Sequence, residues 1–407
     1  MNKEFKEGKF TVNVMQVLLL LSVILPLTML GSAPVNRFQP TKDDPTRRKT
    51  AFREDEDTTA VLAADRGKVT AKAGDGIVWV DGETLPIEGK PFADADTYFA
   101  RLPSYAKSGV VRGTWMMGHC TPGMSYVFRT DAQKLRLRWS LTLEHLSMFH
   151  MPATGVSGLD LYVLNDDGKW SFRKCCIPRK QHDNEVEVKV EPGRIYRLYL
   201  PLFNGIAKIG FGIEKGRTLE PVPLAPDKKP VVFYGGSVTQ GACVTRPGNS
   251  FVNIAGRKLG WPTVCMGFNG QGRMLIFEAE LLAKIDAAAY CFLTFGNMDA
   301  ATGKETCLAF LRRLHELRPN VPIALGAFHY ILASGPEHAV ERAIAADVAH
   351  ELKTEDPKSW AKLTVVPIEK LCPADCDGSV DGGHLNDYGS KFMADGFVEA
   401  LSLIGAF

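Results

Sequence analysis

Four short segments hold residues whose types and spacing suit acyl transfer. The first is Tyr234-Gly-Gly-Ser237-Val-Thr-Gln-Gly241, which follows directly on an apolar run. A serine flanked by glycines at a strand exit can project Oγ into a cleft, because glycine permits a tight backbone approach. The N–H groups after it point toward the space where an oxyanion would develop. A phosphate loop is excluded on pattern, since no Gly-Lys-Ser/Thr follows. The second is Gly267-Phe-Asn-Gly270-Gln-Gly272, whose glycines let a backbone N–H face the same cleft; a plain strand-to-helix turn is the simpler alternative. The third, Phe295-Gly-Asn297-Met-Asp299, offers a side-chain amide that can donate to an oxyanion. The fourth is Asp381-Gly-Gly-His384. A histidine base needs an acceptor on its other ring nitrogen, and an aspartate three residues earlier in a glycine-rich turn can supply it. Together these residues describe a serine esterase. In such an enzyme Ser237 would attack, His384 would take its proton, Asp381 would hold the tautomer, and the N–H groups of Ser237 and Gly270 with the Asn297 amide would hold the oxyanion. Such chemistry needs no metal and no organic cofactor.

The elements that must position these residues follow from residue periodicity. From Val231 onward apolar runs alternate with amphipathic stretches: VVFYGG, PTVCMGF, AAYCFLTFG, VPIALGAF and LTVVPI as strands, separated and followed by five helical segments. That β-α alternation predicts a parallel sheet covered on both faces, with a site in the loops at the carboxyl ends of its strands. The segment from about 70 to 217 has a different texture. LRLRWSLTL (135–143) and EVEVKV (185–190) alternate apolar with polar residues, and turn signals such as Asn165-Asp-Asp-Gly168 and Glu191-Pro-Gly193 separate the strands. Short strands with turns indicate a β-sandwich or jelly roll. The expected domains are therefore a β-sandwich over 70–220 and a β-α-alternating domain over 221–407, joined by the Pro-rich PVPLAPDKKP.

Residues 34–69 read as a charged linker. Before it lies an uncharged run from Thr11 to Leu30, preceded by three Lys and two Glu and followed by Gly31-Ser32-Ala33. This pattern, over 1–33, suits a cleaved signal peptide, with a retained membrane anchor as the alternative. Either places the working domains outside the cytoplasm. The 407 residues are 45% hydrophobic with a net charge of only +2 spread along the chain, so nothing resembles a nucleic-acid-binding stripe. The expected partners are a small-molecule or polysaccharide ester, no nucleic acid, and a membrane only through the anchor. Nine cysteines fit an oxidising compartment and leave at least one unpaired. Cys372 and Cys376 are close enough in sequence to bridge, adjacent Cys175 and Cys176 could pair only through a strained ring, and a zinc site at Cys372 and Cys376 lacks a second Cys/His pair at ligand spacing.

The order of the four segments resembles the four sequence blocks of the SGNH (GDSL-like) hydrolases. Ser237, Gly270, Asn297 and His384 stand at the four positions that name that family, and Asp381 at its acid position. The resemblance implies a three-layer, flavodoxin-like α/β fold. Gly-Gly-Ser stands where many members have Gly-Asp-Ser, and Gly-Asn-Met-Asp where Gly-x-Asn-Asp is frequent. Upstream, SGLDLYVLNDDGKW (157–170) and FARLPSYA (99–106) resemble the Gly-x-Asp-Leu-Tyr β-sandwich that precedes a subgroup of these enzymes. YGGSVTQG is similar to that subgroup's serine block. The resemblance spans roughly residues 87–403 and implies a carbohydrate esterase-like acetylesterase. A lipase or thioesterase for longer acyl chains, and a non-catalytic carbohydrate-binding protein, are the alternatives. The sandwich could form a cleft wall, bind a glycan or only stabilise its neighbour, and packing roles are expected for its His150 and Asp160.

Overall fold

In a computed structural model the structure describes residues 61–62, 69–70, 76–294, 302–327, 339–375 and 377–406. Eleven strands make the first region: β1 (Val61–Leu62), β2 (Val69–Thr70), β3 (Ile77–Asp81), β4 (Ser125–Thr130), β5 (Lys134–Leu141), β6 (Leu159–Leu164), β7 (Trp170–Cys176), β8 (Asn184–Lys189), β9 (Ile195–Tyr199), β10 (Ile206–Glu214) and β11 (Thr218–Pro221). They form two antiparallel sheets, β1-β2-β11-β4-β9-β6-β7 and β3-β10-β5-β8. The alternation read from the sequence is the cause. In β5 Leu135, Leu137 and Trp139 are fully buried, while Arg136 and Arg138 face outward and pair with Glu187 and Glu185 of β8 at 3.0 and 2.7 Å. Those apolar sides meet Phe128, Tyr196 and Phe211 in one core. The segment read as a linker to residue 69 contributes β1 and β2 to the sheet edge, an addition that needs only backbone pairing and leaves no side-chain periodicity to read. Two short helices, α1 (Arg112–Met117) and α2 (Ala153–Val156), interrupt the strands.

The second region is the expected α/β layer. Five parallel strands, β12 (Val231–Gly235), β13 (Thr263–Gly267), β14 (Ala289–Thr294), β15 (Ile323–Ala327) and β16 (Leu363–Val366), lie in the order β13-β12-β14-β15-β16, which is flavodoxin-like. Helices follow the strands as α3 (Ser237–Gln240), α4 (Phe251–Leu259), α5 (Ile276–Leu282), α6 (Gly303–Leu317), α7 (Ala339–Glu355), α8 (Ile368–Leu371) and α9 (Asp387–Leu403). Every residue of β12 is buried because both faces are covered. Val231 and Phe233 pack with α4 and α9 through Phe251 and Phe397, whereas Tyr234 stacks on Phe310 of α6. Capping sets the helix ends nearest the site. Ser250 accepts from the Asn253 N–H to open α4, and Asn386, two residues after His384, accepts from the Gly389 N–H to open α9. Among the described residues no helix is long and apolar enough to cross a membrane. The run 11–30 and the rest of the expected leader and linker up to residue 60 lie outside the described residues.

Candidate active site

Ser237 opens α3 directly at the carboxyl end of β12, and His384 sits in the loop before α9. The two are 147 positions apart, yet Ser237 Oγ lies 3.0 Å from His384 Nε2. On its other side His384 Nδ1 lies 2.8 Å from Asp381 Oδ2. With Nδ1 carrying the proton, Nε2 is left as the acceptor for the serine hydroxyl. Asp381 is itself held, since its Oδ1 accepts from the backbone N–H groups of Gly383 (2.9 Å) and His384 (2.7 Å). Burial pushes its pKa upward, but the hydrogen bonds from the His384 ring and from those two N–H groups outweigh this and hold it below the usual carboxylate range. It therefore stays ionised opposite the imidazole at neutral pH.

Gly270 lies in the loop after β13, in a turn closed by the Gln271 N–H donating to the Phe268 carbonyl. Its φ of +69° is the left-handed region, and a Cβ there would meet nothing, so conformation rather than crowding calls for glycine. At Gly272 both reasons hold: its φ is +84°, and a Cβ would stand 2.5 Å from the Gly235 carbonyl carbon. The loop thus presses against the serine turn, and the Phe268 N–H donates to Gly235 O at 2.9 Å. Asn297 lies outside the described residues, as does Asp299. Four of the five sequence-derived positions are consequently placed, with Ser237, Asp381 and His384 in one hydrogen-bonded chain and Gly270 on the neighbouring loop. Cys376 is also outside the described residues, so the Cys372 pairing is not described, while Cys175 and Cys176 are not joined to each other.

Residues not singled out from sequence hold these loops. Gln240, fully buried three positions after Ser237, accepts from the Asn269 N–H (2.7 Å) and donates to Leu202 O in the sandwich (3.1 Å). Arg101, also fully buried, donates from one Nη to the carbonyls of Cys265 and Gly267 at the end of β13, both at 2.8 Å, and through its other nitrogens to Cys120 and Met117. Beyond Gly270, the Met274 N–H donates to the Tyr234 hydroxyl, which donates to buried Glu278. The SVTQG spacing and the arginine in FARLPSYA were visible, but no local pattern says which carbonyls they will meet.

Asp160 has the structural role expected of it, at a boundary. Fully buried in β6, it accepts from Arg246 Nη1 (2.7 Å) and the Gly248 N–H (2.8 Å), while Tyr162 hydroxyl lies 2.6 Å from Arg246. The same 245–249 segment is tied to the start of α9, where the Thr245 N–H and hydroxyl donate to Asp387 and the Ser390 hydroxyl donates to Asn249 O. His150 packs, as expected, and it packs against the site itself. Its ring stacks on Phe149 (centroids 4.2 Å) and stands edge-on to His384 (5.5 Å, 78°). Burial and the neighbouring His384 lower its pKa against the opposing pull of Asp381, so it is neutral at neutral pH. Phe149 itself is 90% exposed.

Residues 77–219 match the family described as the N-terminus of SGNH-hydrolase-type esterases, and residues 228–402 match the GDSL-like lipase/acylhydrolase family. Among solved structures, a GDSL-like protein from Bacteroides ovatus is similar at 24% identity and a TM-score of 0.73. A salicylyl-acyltransferase from a tetracycline biosynthetic pathway is similar at 17% and 0.65, and a family two carbohydrate esterase from Cellvibrio japonicus at 13% and 0.53. Each likeness covers 81% of this chain and 98% of the other, and at these identities each shows the fold. No curated protein sequence matches the chain.

Proposed function

The chain belongs to the GDSL-like lipase/acylhydrolase family and is a carboxylic ester hydrolase; on that premise we propose that it removes short acyl groups, acetyl above all, from carbohydrate outside the cytoplasm. The observation that carries the mechanism is the chain Ser237–His384–Asp381, with links of 3.0 and 2.8 Å. As Ser237 Oγ attacks the ester carbonyl, its proton passes to His384 Nε2, and Asp381 stabilises the imidazolium. The oxyanion is held by the Ser237 and Gly270 N–H groups with the Asn297 amide, and losing one donor costs about 10²–10³ in rate. His384 returns the proton to the departing alcohol oxygen. Water then attacks the acyl-serine with the same base, releasing the acid.

Support for a carbohydrate alcohol comes from Phe149. Its exposed ring, stacked on His150 beside His384, offers a flat apolar surface on which a pyranose face can lie. The fold likeness to a carbohydrate esterase agrees with this reading. Export rests on the uncharged run Thr11–Leu30 and the small residues after it. The test is acetate release from a panel of acetylated polysaccharides. Wild type should release acetate and Ser237→Ala should fall by about 10⁶. Cleavage of octanoyl esters alone would hand the site to the lipase reading, and absence of fluorophosphonate labelling at Ser237 to the non-catalytic one.

A further inference from the structure

His150, Cys243, Asp381 and His384 each offer one ligand atom, and these four atoms lie within 4.8 Å of one another. The side chains come from separate places: the sandwich loop before α2, the turn after α3, and the loop before α9. Two of them have no part in acyl transfer as derived above. Cys243 is buried, carries no disulfide, and holds φ +69°, a conformation that costs a non-glycine residue energy and is retained only where surrounding structure enforces it. Part of that enforcement is visible, as the Cys243 N–H donates to the Met151 sulfur at 3.4 Å. The Nδ1 of His150 is a buried nitrogen with no hydrogen-bond partner among the described residues.

We infer that these four side chains form a reversible binding site for a thiophilic divalent cation of the zinc class, and that occupancy switches the esterase off by taking its base. Two imidazoles, a thiol and a carboxylate are the donor types of tetrahedral zinc sites. Bonds of about 2.0–2.3 Å put such donors about 3.3–3.8 Å apart, so closure around the ion needs shifts of about 1 Å. The same set is wrong for magnesium or calcium, which want oxygen. The incoming cation displaces the Cys243 thiol proton to water and binds the thiolate. Coordinated His384 can no longer accept the Ser237 proton. The inhibition rests on the esterase reading, whereas the site itself does not.

The two are separated by a direct binding measurement. Cobalt(II) added to full-length Ser237→Ala protein should produce a thiolate-to-cobalt charge-transfer absorption, and the additional change Cys243→Ser should abolish it. In wild type, zinc should inhibit ester hydrolysis reversibly, with activity restored by a chelator and magnesium without effect. Cys243→Ser alone should keep its basal activity while the half-inhibiting zinc concentration rises at least about tenfold. Cys243→Ala serves as the second variant if the serine form does not fold. No cobalt–thiolate absorption, or zinc sensitivity equal in wild type and the Cys243 variants, would overturn the site. An enzyme inactive on every ester but showing the absorption would retain the site and remove only its regulatory meaning.

Discussion

The two regions of this chain bury their strands in opposite ways. In the sandwich, β5 and β8 alternate, with leucines and Trp139 inward and an Arg–Glu ladder outward. In the α/β layer every residue of β12, β13 and β15 is buried, because helices cover both faces. Chemistry sits at the strand ends of the second region, as open parallel sheets favour. The supports of that chemistry, however, come in good part from the first. Arg101 grips the end of β13, Leu202 receives Gln240, Asp160 fixes the 245–249 segment, and His150 stands against His384. The sandwich thus supplies side chains and carbonyls that hold loops of its neighbour.

That comparison can be broken by removing these contacts one at a time. Arg101→Ala should have the largest effect, about 3–5 kcal/mol of stability, because four buried carbonyls each lose a hydrogen bond. A thermal melt would measure it; a loss under about 1 kcal/mol would mean the carbonyls find other partners. Asp160→Asn should come next. It keeps the shape but leaves Arg246 without an anion, so the 245–249 segment and the Asp387 it binds relax together. We expect kcat to fall about tenfold while fluorophosphonate still labels Ser237. Unchanged kcat would confine Asp160 to holding its own sheet. Phe149→Ala sharpens the comparison most finely. KM for an acetylated polysaccharide should rise about tenfold, while a small aliphatic acetate ester is hydrolysed at the wild-type rate. Equal effects on both substrates would remove that role for the Phe149 surface.

How much was legible follows from the range of each signal. The strands and helices were readable because periods of 2 and 3.6 are local; LRLRWSLTL gave its element and its inward face together. Ser237 and Asp381-Gly-Gly-His384 were readable as types in turns. Gly270 was readable as a glycine, but its reason, the +69° φ, was not. The strands β1 and β2 were missed because a two-residue edge pairing leaves no period. The placement of His150 beside His384 was not legible, because a lone histidine in a loop has no pattern at all.

The sequence by itself determined two textures, a sandwich followed by an α/β layer, and the residue types of an acyl-transfer site in their order along the chain. Tertiary structure alone decided that Ser237 and His384 meet at 3.0 Å, that the Asp160 carboxylate of one region fixes a loop of the other, and that Cys243 and His150 join Asp381 and His384 in one cluster. The reason is physical. Local periodicity fixes which face of an element is apolar, but the distance between side chains 147 positions apart depends on sheet order, loop path and buried hydrogen bonds that only the packed chain brings into being.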